Sequence, residues 1–570
     1  MEKAAIIHNP DNYFCYSAGG DAFTVKLMAK AGDVEQVVLH YRDKYIPLEK
    51  LDTRGEVLMH RAAEDGIHEY FEGKIEVNML CTRYYFEIRD KQGQTVYYGN
   101  YAFFETEPRM IEEMFDCPQL SRQEERYEAP DWARGKVVYQ IFPDRFATDK
   151  AVPEDFWYKQ DLGHRESLRG SLKGITEKIP YLKELGVDVL YLTPIFRANS
   201  THKYDTVDYM QIDPDFGTAE DLKNLTVAAH RAGMYVVLDA VFNHTSRDFF
   251  AFRDLMQHQE NSRYKDWYYV DDYPARGELM PSYRSFSYFG GMPKLNCRNP
   301  EVRKYVFDVV TYWTRECHVD GWRLDVADEI GRDFWRAFRK AVHEVNPQIL
   351  IVGEIWHFNG SYLGGSLWDS VMNYHFTDAV KGLLLEKKLT ARQFAEKLEF
   401  VRGRLKGEAV PFLWNLIDSH DTTRFLTQAG NDKAILKLAA ALQLLLPGMP
   451  MIYYGDEVGM TGEKGSGCRR GMLWEEQRQD RELFAFYQKL LAIRKRCPAM
   501  GEGEVKWLWE AEDNLLAWCF LPEKEKGVTV LLNSGDMPVS RNHYRGRREL
   551  LTGKDFDGTA EPWSVYVLGE

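Results

Sequence analysis

Arg323 and Asp325 have the types and spacing of a catalytic pair, in the stretch Gly321-Trp322-Arg323-Leu324-Asp325-Val326-Ala327-Asp328-Glu329. Residues two apart in a strand face the same side, so guanidinium and carboxylate point together. A neighbouring cation keeps a carboxylate ionised, and an ionised Asp where a strand ends is a credible nucleophile. Taken alone, the pair reads more readily as an ion pair that closes a strand. What lies at the ends of the other strands decides between the two.

Polar residues follow other short apolar runs in the same manner. One run continues as Asp239-Ala240-Val241-Phe242-Asn243-His244, another as Gly353-Glu354-Ile355-Trp356-His357, and a third as Ser419-His420-Asp421. Asp239, Asp325, Glu354 and Asp421, with His244, His420 and Arg323, would then share one rim. Two carboxylates on one rim, with no metal-ligand spacing and no cofactor loop, point to glycoside hydrolysis. One must be ionised to attack the anomeric carbon, and the other protonated to serve the leaving oxygen. Arg323 suits Asp325 to the ionised role. Glu354 stands beside Trp356 with no cation adjacent in sequence, so apolar surroundings would raise its pKa into the acid role. The two histidines can hydrogen-bond sugar hydroxyls, and Asp421 is a third carboxylate to grip the ring.

The elements that must position these groups alternate between short apolar strands and amphipathic helices. Candidate strands fall at 137–142, 187–192, 235–239, 321–325, 349–354, 370–373, 412–415 and 451–454. Eight β/α units predict an α/β fold, a (β/α)8 TIM barrel with its chemistry at the C-terminal ends of the strands. The alternative is an open doubly wound sheet, which would carry a glycine-rich phosphate loop after an early strand; none is present. Between strands three and four, residues 245–297 are too many for one crossover and predict an inserted subdomain, rich in Tyr and Phe, walling the cleft. Val302, Tyr305, Val306, Val309 and Trp313 mark one helix face, and Leu483, Tyr487, Leu490 and Leu491 another.

Flanking this barrel (123–500) are two β domains. Residues 1–122 hold strand-like runs at 23–27, 37–41 and 84–88 and a turn at Asp90-Lys91-Gln92-Gly93. They predict an antiparallel sandwich of the carbohydrate-binding or interaction type, or a purely structural cap. A polar linker follows at 122–134. Residues 501–570 read as a C-terminal β-sandwich, with strands at 515–520 and 528–532.

The chain of 570 residues is long enough for two to four domains. Its net charge of -14 argues against nucleic acid or an anionic membrane as partner. The 14 Trp, 33 Tyr and 31 Phe supply faces on which sugars stack. No apolar segment opens the chain, and the longest apolar run, 438–446, is too short to span a bilayer. Eight cysteines without metal-ligand spacing fit reduced thiols in a cytoplasm.

These segments resemble the signature regions of glycoside hydrolase family 13, the α-amylase family. Met292-Pro293-Lys294-Leu295-Asn296, Thr193-Pro194-Ile195-Phe196-Arg197, His202-Lys203-Tyr204-Asp205-Thr206 and Tyr139-Gln140-Ile141-Phe142-Pro143-Asp144-Arg145-Phe146 are similar to its neopullulanase, cyclomaltodextrinase and maltogenic amylase subgroup. The resemblance implies Asp325 as nucleophile, Glu354 as general acid/base and Asp421 as transition-state stabiliser. It implies that Asp239, His244, Arg323, His420, Tyr204 and His202 surround the sugar at the cleavage point. It places Phe286 and Trp356 as aromatic platforms, Glu329 near the acceptor and Arg469 on the donor side. It also implies a homodimer through the N-terminal domain, with cyclodextrins, pullulan and short maltooligosaccharides as substrates.

Three departures stand out. Relatives often hold calcium near the start of the barrel, but here the loop is shortened to Ala147-Thr148-Asp149-Lys150 and Ser171 replaces an expected Asp, so no cofactor is expected. Gly465 replaces the Asp usual four residues before Arg469. Asp328 replaces the usual Asn beside Glu329. The function expected is a retaining, cytoplasmic α-1,4-glucan hydrolase. A transglycosylating or α-1,6-acting member of the group is an alternative, and an inactive glucan-binding relative is a second.

Overall fold

The computed structural model describes residues 1–19, 22–47, 54–76, 79–118, 126–160, 162–163, 166–277, 279–502, 505–509, 514–520 and 527–569. Residues 122–125 of the expected linker lie outside the described residues. The chain divides into two units. One comprises Met1–Glu128, Phe358–Asp369 and Leu389–Val410; the other comprises Ala129–His357, Ser370–Lys388 and Pro411–Glu570.

The second unit contains the barrel. Its strands are β1 (Val138–Ile141), β2 (Val189–Leu192), β3 (Tyr235–Ala240), β4 (Gly321–Leu324), β5 (Leu350–Gly353), β6 (Ser370–Val371), β7 (Trp414–Asn415) and β8 (Met449–Tyr453). They pair in the order β6-β5-β4-β3-β2-β1-β8-β7, all in parallel. A parallel bridge between Met372 and Trp414 joins the two ends of that order. The ring is therefore closed, which excludes the open doubly wound sheet. Each strand occurs where expected, with limits shifted by one or two residues.

Helix placement explains the short strands. Asn373 ends β6 by accepting from the Phe376 N–H and so capping helix Tyr374–Leu384. Its amide also donates to Asn415 at 2.8 Å, tying β6 to β7 by side chains where the ladder stops. Helix Pro300–Cys317 starts with the Asn299 cap and Pro300, and buries Val302, Val306, Val309, Val310 and Trp313. It delivers the chain to Gly321, where a Cβ would stand 2.8 Å from the Leu350 carbonyl. Only glycine allows β4 and β5 to pair this closely.

Among its described residues, the insert between β3 and β4 has one α-helix, Phe250–His258, followed by short 3-10 turns and isolated bridges. Trp267 is buried within it and donates Nε1 to Glu301 Oε2 at 3.0 Å. After helix Arg481–Arg496, the C-terminal part forms a five-stranded sheet and a two-stranded pair.

The first unit holds a four-stranded and a six-stranded antiparallel sheet, with Phe23, Val25, Leu27, Val37, Leu39, Phe86 and Ile88 in the core between them. Gly93 takes φ +82° in the tight turn foreseen there. Helix Ala391–Gly403 belongs to this unit although it lies between β6 and β7 in sequence. Just beyond it, Arg404 donates to Asp65 at 2.8 Å and Leu405 accepts from Lys26 at 2.8 Å. An amphipathic pattern announces a helix without saying which surface it covers, so the sequence did not place it here. Among the described residues, no helix is long and apolar enough to cross a membrane.

Candidate active site

Strand register assembles the carboxylates. Asp239 on β3 lies opposite Arg323 on β4, and Leu324 lies opposite Gly353 on β5. One step further along both strands, Asp325 and Glu354 emerge level with each other at the C-terminal rim. Arg323 is wholly buried beneath them. Its Nη1 donates to both oxygens of Asp239 and to Asp325 Oδ1, each at 3.0 Å. Its Nη2 stands 2.9 Å from Glu354 Oε2, an ion pair too poorly angled to be a hydrogen bond.

Two expectations change here. Glu354 lacks a cation in its own segment but has one in space, because β5 runs beside β4. Arg323 is shared by three carboxylates, not reserved for Asp325. Burial, followed by the negative charge of Glu354, pushes the Asp325 carboxyl well above the usual range, and Arg323 opposes both. Burial also raises Asp239, again against Arg323. Ionisation of Asp325 therefore depends on Glu354: when Glu354 carries a proton, one repulsive charge is gone and Arg323 remains.

Glu354 is aimed by two donors. The Val326 N–H reaches Oε2 at 3.0 Å, and Trp356 Nε1 reaches Oε1 at 3.2 Å. Val326 adopts φ 46° and ψ 45°, the left-handed region that a β-branched residue enters only at a cost. This bend turns the backbone N–H of the residue after Asp325 towards Glu354.

Asp421 is held from two sides. Arg469 Nη2 donates to Oδ1 at 2.9 Å, and His420 Nε2 stands 3.1 Å from Oδ2. Burial pushes the Asp421 carboxyl up, but His420, Arg469 and Arg323 outweigh it and hold it below the usual range. Arg469 also donates Nε to the His420 carbonyl at 2.7 Å, so one side chain locks both residues of the motif.

Tyr204 connects this side to β3. Its ring stacks on His420 at 5.4 Å and 3°. Its hydroxyl donates to Asp239 at 2.9 Å and lies 2.6 Å from His420 Nε2. His202 stacks on Tyr204 at 6.0 Å, and burial lowers its pKa to about 4. His244 lies 3.2 Å from the Tyr204 carbonyl through Nε2 and stacks on Phe286 at 5.1 Å. Its burial lowers its pKa to about 3, so it sits there as a neutral ring.

Beside Glu354, Trp356 is 52% exposed and lies flat on Tyr374 at 3.9 Å and 13°. Glu329 pairs with Lys294 at 3.0 Å, and Asp328 lies 3.8 Å from His357. Gly465 takes φ +92°, so an Asp at this position would be strained.

Sequence reasoning missed Gln140, Tyr191, Tyr374 and Val326. Gln140 Nε2 lies 2.8 Å from His420 Nδ1, and the Tyr191 hydroxyl donates to Asp239 at 2.7 Å. A signal existed for the first two: each is the polar member of a wholly buried strand, β1 or β2. Nothing in the sequence pairs them with residues 48 and 280 positions away.

A family model described as "Alpha amylase, catalytic domain" matches residues 140–478, and one described as "Alpha amylase, N-terminal ig-like domain" matches 1–121. The chain belongs to the α-amylase family. Within this family it is 40% identical to neopullulanase 2 of Thermoactinomyces vulgaris, over 100% of this chain and 99% of that one. It is 37% identical to a cyclomaltodextrinase of Geobacillus thermopakistaniensis, over 100% and 98%. A solved cyclomaltodextrinase structure superposes with a TM-score of 0.92 at 33% identity, covering 100% of this chain and 98% of that one. As an α-amylase family glycoside hydrolase, the chain carries its carboxylates on β3, one residue past β4 and β5, and after β7, at the barrel's C-terminal rim.

Proposed function

We propose that this protein is a retaining α-glucan hydrolase cleaving α-1,4 bonds of cyclodextrins, pullulan and short maltooligosaccharides. The observation that carries the reading is the fork of Arg323, whose adjacent nitrogens face Asp325 at 3.0 Å and Glu354 at 2.9 Å. Glu354 gives its proton to the glycosidic oxygen while Asp325 attacks the anomeric carbon. The glycosyl-enzyme ester is then opened by water that Glu354 deprotonates. Asp421, gripped by His420 and Arg469, accepts from ring hydroxyls as the sugar flattens. Tyr204 stacks beneath that sugar, with His202, His244 and His420 bonding its hydroxyls. The names of the relatives supply the substrate class.

The exposed Trp356 face supports a second reading for the deglycosylation step, in which a sugar acceptor replaces water and the enzyme transglycosylates. Product analysis on β-cyclodextrin, pullulan and starch separates the readings, with the anomeric form of the first product followed by NMR. Released α-anomer supports retention; β-anomer rules it out. Glu354→Gln and Asp325→Asn should each lose at least about 10²–10⁴-fold in turnover with unchanged circular dichroism. Near-normal activity in either would remove its assigned role.

The same reading needs no calcium. Asp149 accepts from Ser171 at 2.7 Å and faces Lys173 at 3.5 Å, a set that supplies a cation of its own and does not fit a divalent ion. We read the first unit as the dimerisation domain, supported by exposed Tyr45, Leu58, Ile67, Tyr101 and Met110. A monomer in sedimentation velocity would remove that part. The eight cysteines, all thiols, support a cytoplasmic location.

A further inference from the structure

Lys203 stands between two residues of the sugar site and has no place in the chemistry above. It takes φ 64°, the left-handed region that residues with a Cβ rarely adopt. Its side chain points into the protein, where Nζ lies 2.7 Å from Asp213 Oδ2 and 5.2 Å from the centre of the Phe216 ring. Both ends of the pair are buried, at 4% and 3% exposure. Asp213 is itself fixed: Oδ2 accepts from the Ala198 N–H and Oδ1 from the Asp215 N–H, each at 3.0 Å. The backbone of Lys203 is tied as well, its N–H donating to Ser200 Oγ at 3.0 Å and its carbonyl accepting from Thr206 Oγ1 at 3.2 Å.

The consequence of the bend lies on either side of it. The Tyr204 N–H reaches back to His202 Nδ1 at 3.2 Å, and the two rings stack. The Tyr204 carbonyl meets His244 Nε2 at 3.2 Å. One reversed residue thus aims His202, Tyr204 and, through a carbonyl, His244 at the same sugar position. A local conformation disfavoured by its own sterics persists only where surrounding contacts over-determine it.

We infer that Lys203 is a positioning residue: its buried ion pair with Asp213 holds the strained left-handed turn that sets His202 and Tyr204 on the substrate. This rests on reading the site as an α-glucan site. Two variants of the full-length enzyme test it, Lys203→Ala and Lys203→Gly. Both lose the ion pair, and only glycine tolerates the left-handed turn without steric cost. Both should therefore lower Tm. Lys203→Ala should lose about 10–100-fold in kcat/KM on β-cyclodextrin, mostly through kcat, and Lys203→Gly should retain at least fivefold more than Lys203→Ala. Equal kcat/KM in the two variants, or a higher value for Lys203→Ala, overturns the inference, because a merely structural lysine would affect both alike. Should neither variant fold, Asp213→Asn keeps the shape of the pair and removes its charge. A loss of at least fivefold in kcat/KM supports the inference, and an unchanged value overturns it. If the wild-type enzyme cleaves no α-glucan, the functional reading has failed separately. Crystal structures of Lys203→Ala and the wild type then decide: the inference holds if residue 203 leaves the left-handed region and the His202–Tyr204 stack opens, and fails if both stay.

Discussion

Arg323 Nη2 lies 2.9 Å from Glu354 Oε2, although 31 residues separate the two in sequence. The same guanidinium serves Asp239 and Asp325 through its other terminal nitrogen. Removing it would leave three buried carboxylates without their cation. Breaking such a pair costs about 3–5 kcal/mol because the uncompensated charge stays buried. Arg323→Met should lower the urea midpoint accordingly and abolish measurable turnover. A variant of wild-type stability would show that the carboxylates do not need this counter-charge.

Two buried histidines make stability pH-dependent in a defined direction. Burial lowers His8, in the first unit, and His244, in the second, to about 3. Unfolded histidine takes a proton near pH 6.5, so below that pH the unfolded chain binds more protons and stability falls as pH falls. Each contributes about 1.4 kcal/mol per pH unit, fully retained above pH 6.5 and lost progressively towards pH 3. Buried carboxyls raised in the fold, Asp325 and Asp239 among them, titrate in the opposite sense, so the histidine share is read as the difference in urea midpoint between wild type and His8→Leu, which should be flat above about pH 6.5 and shrink towards pH 5. A difference independent of pH would contradict the buried, neutral assignment.

Gln140 donates its amide to His420 Nδ1, which puts the single N–H proton of the ring on Nε2, facing Tyr204 and Asp421. Gln140→Leu removes the donor and frees the tautomer. We expect kcat/KM to fall about tenfold, with Tm within a few degrees of wild type. Nitrogen NMR of labelled histidine should show Nδ1 gaining proton occupancy. An unchanged histidine spectrum would show that Gln140 does not select the tautomer.

Trp356 presents a half-exposed ring beside Glu354, stacked on Tyr374. Trp356→Ala should raise KM for β-cyclodextrin severalfold and cut the ratio of transfer to hydrolysis products, since a sugar acceptor loses its stacking face while water does not. Its hydrogen bond to Glu354 is long, at 3.2 Å, so kcat should fall less than tenfold. Unaltered product ratios would place the acceptor elsewhere.

Much of this protein is legible in one dimension. The eight apolar strands, the two helical faces and the polar residues just past the strands are local patterns, because a buried parallel strand reads as a near-continuous apolar run and polar residues gather where it leaves the sheet. Asp325, Glu354 and Asp421 were visible for that reason. What depended on register was not. Whether Arg323 serves one carboxylate or three is decided by which residues of β3 and β5 lie level with it. The partners of Gln140 and Tyr191, the surface covered by helix Ala391–Gly403, and the strained turns at Val326 and Lys203 follow from packing between segments far apart in the chain. The residue types at the rim are determined by sequence; their charges and aims are determined by neighbours that only the closed barrel brings within 3 Å.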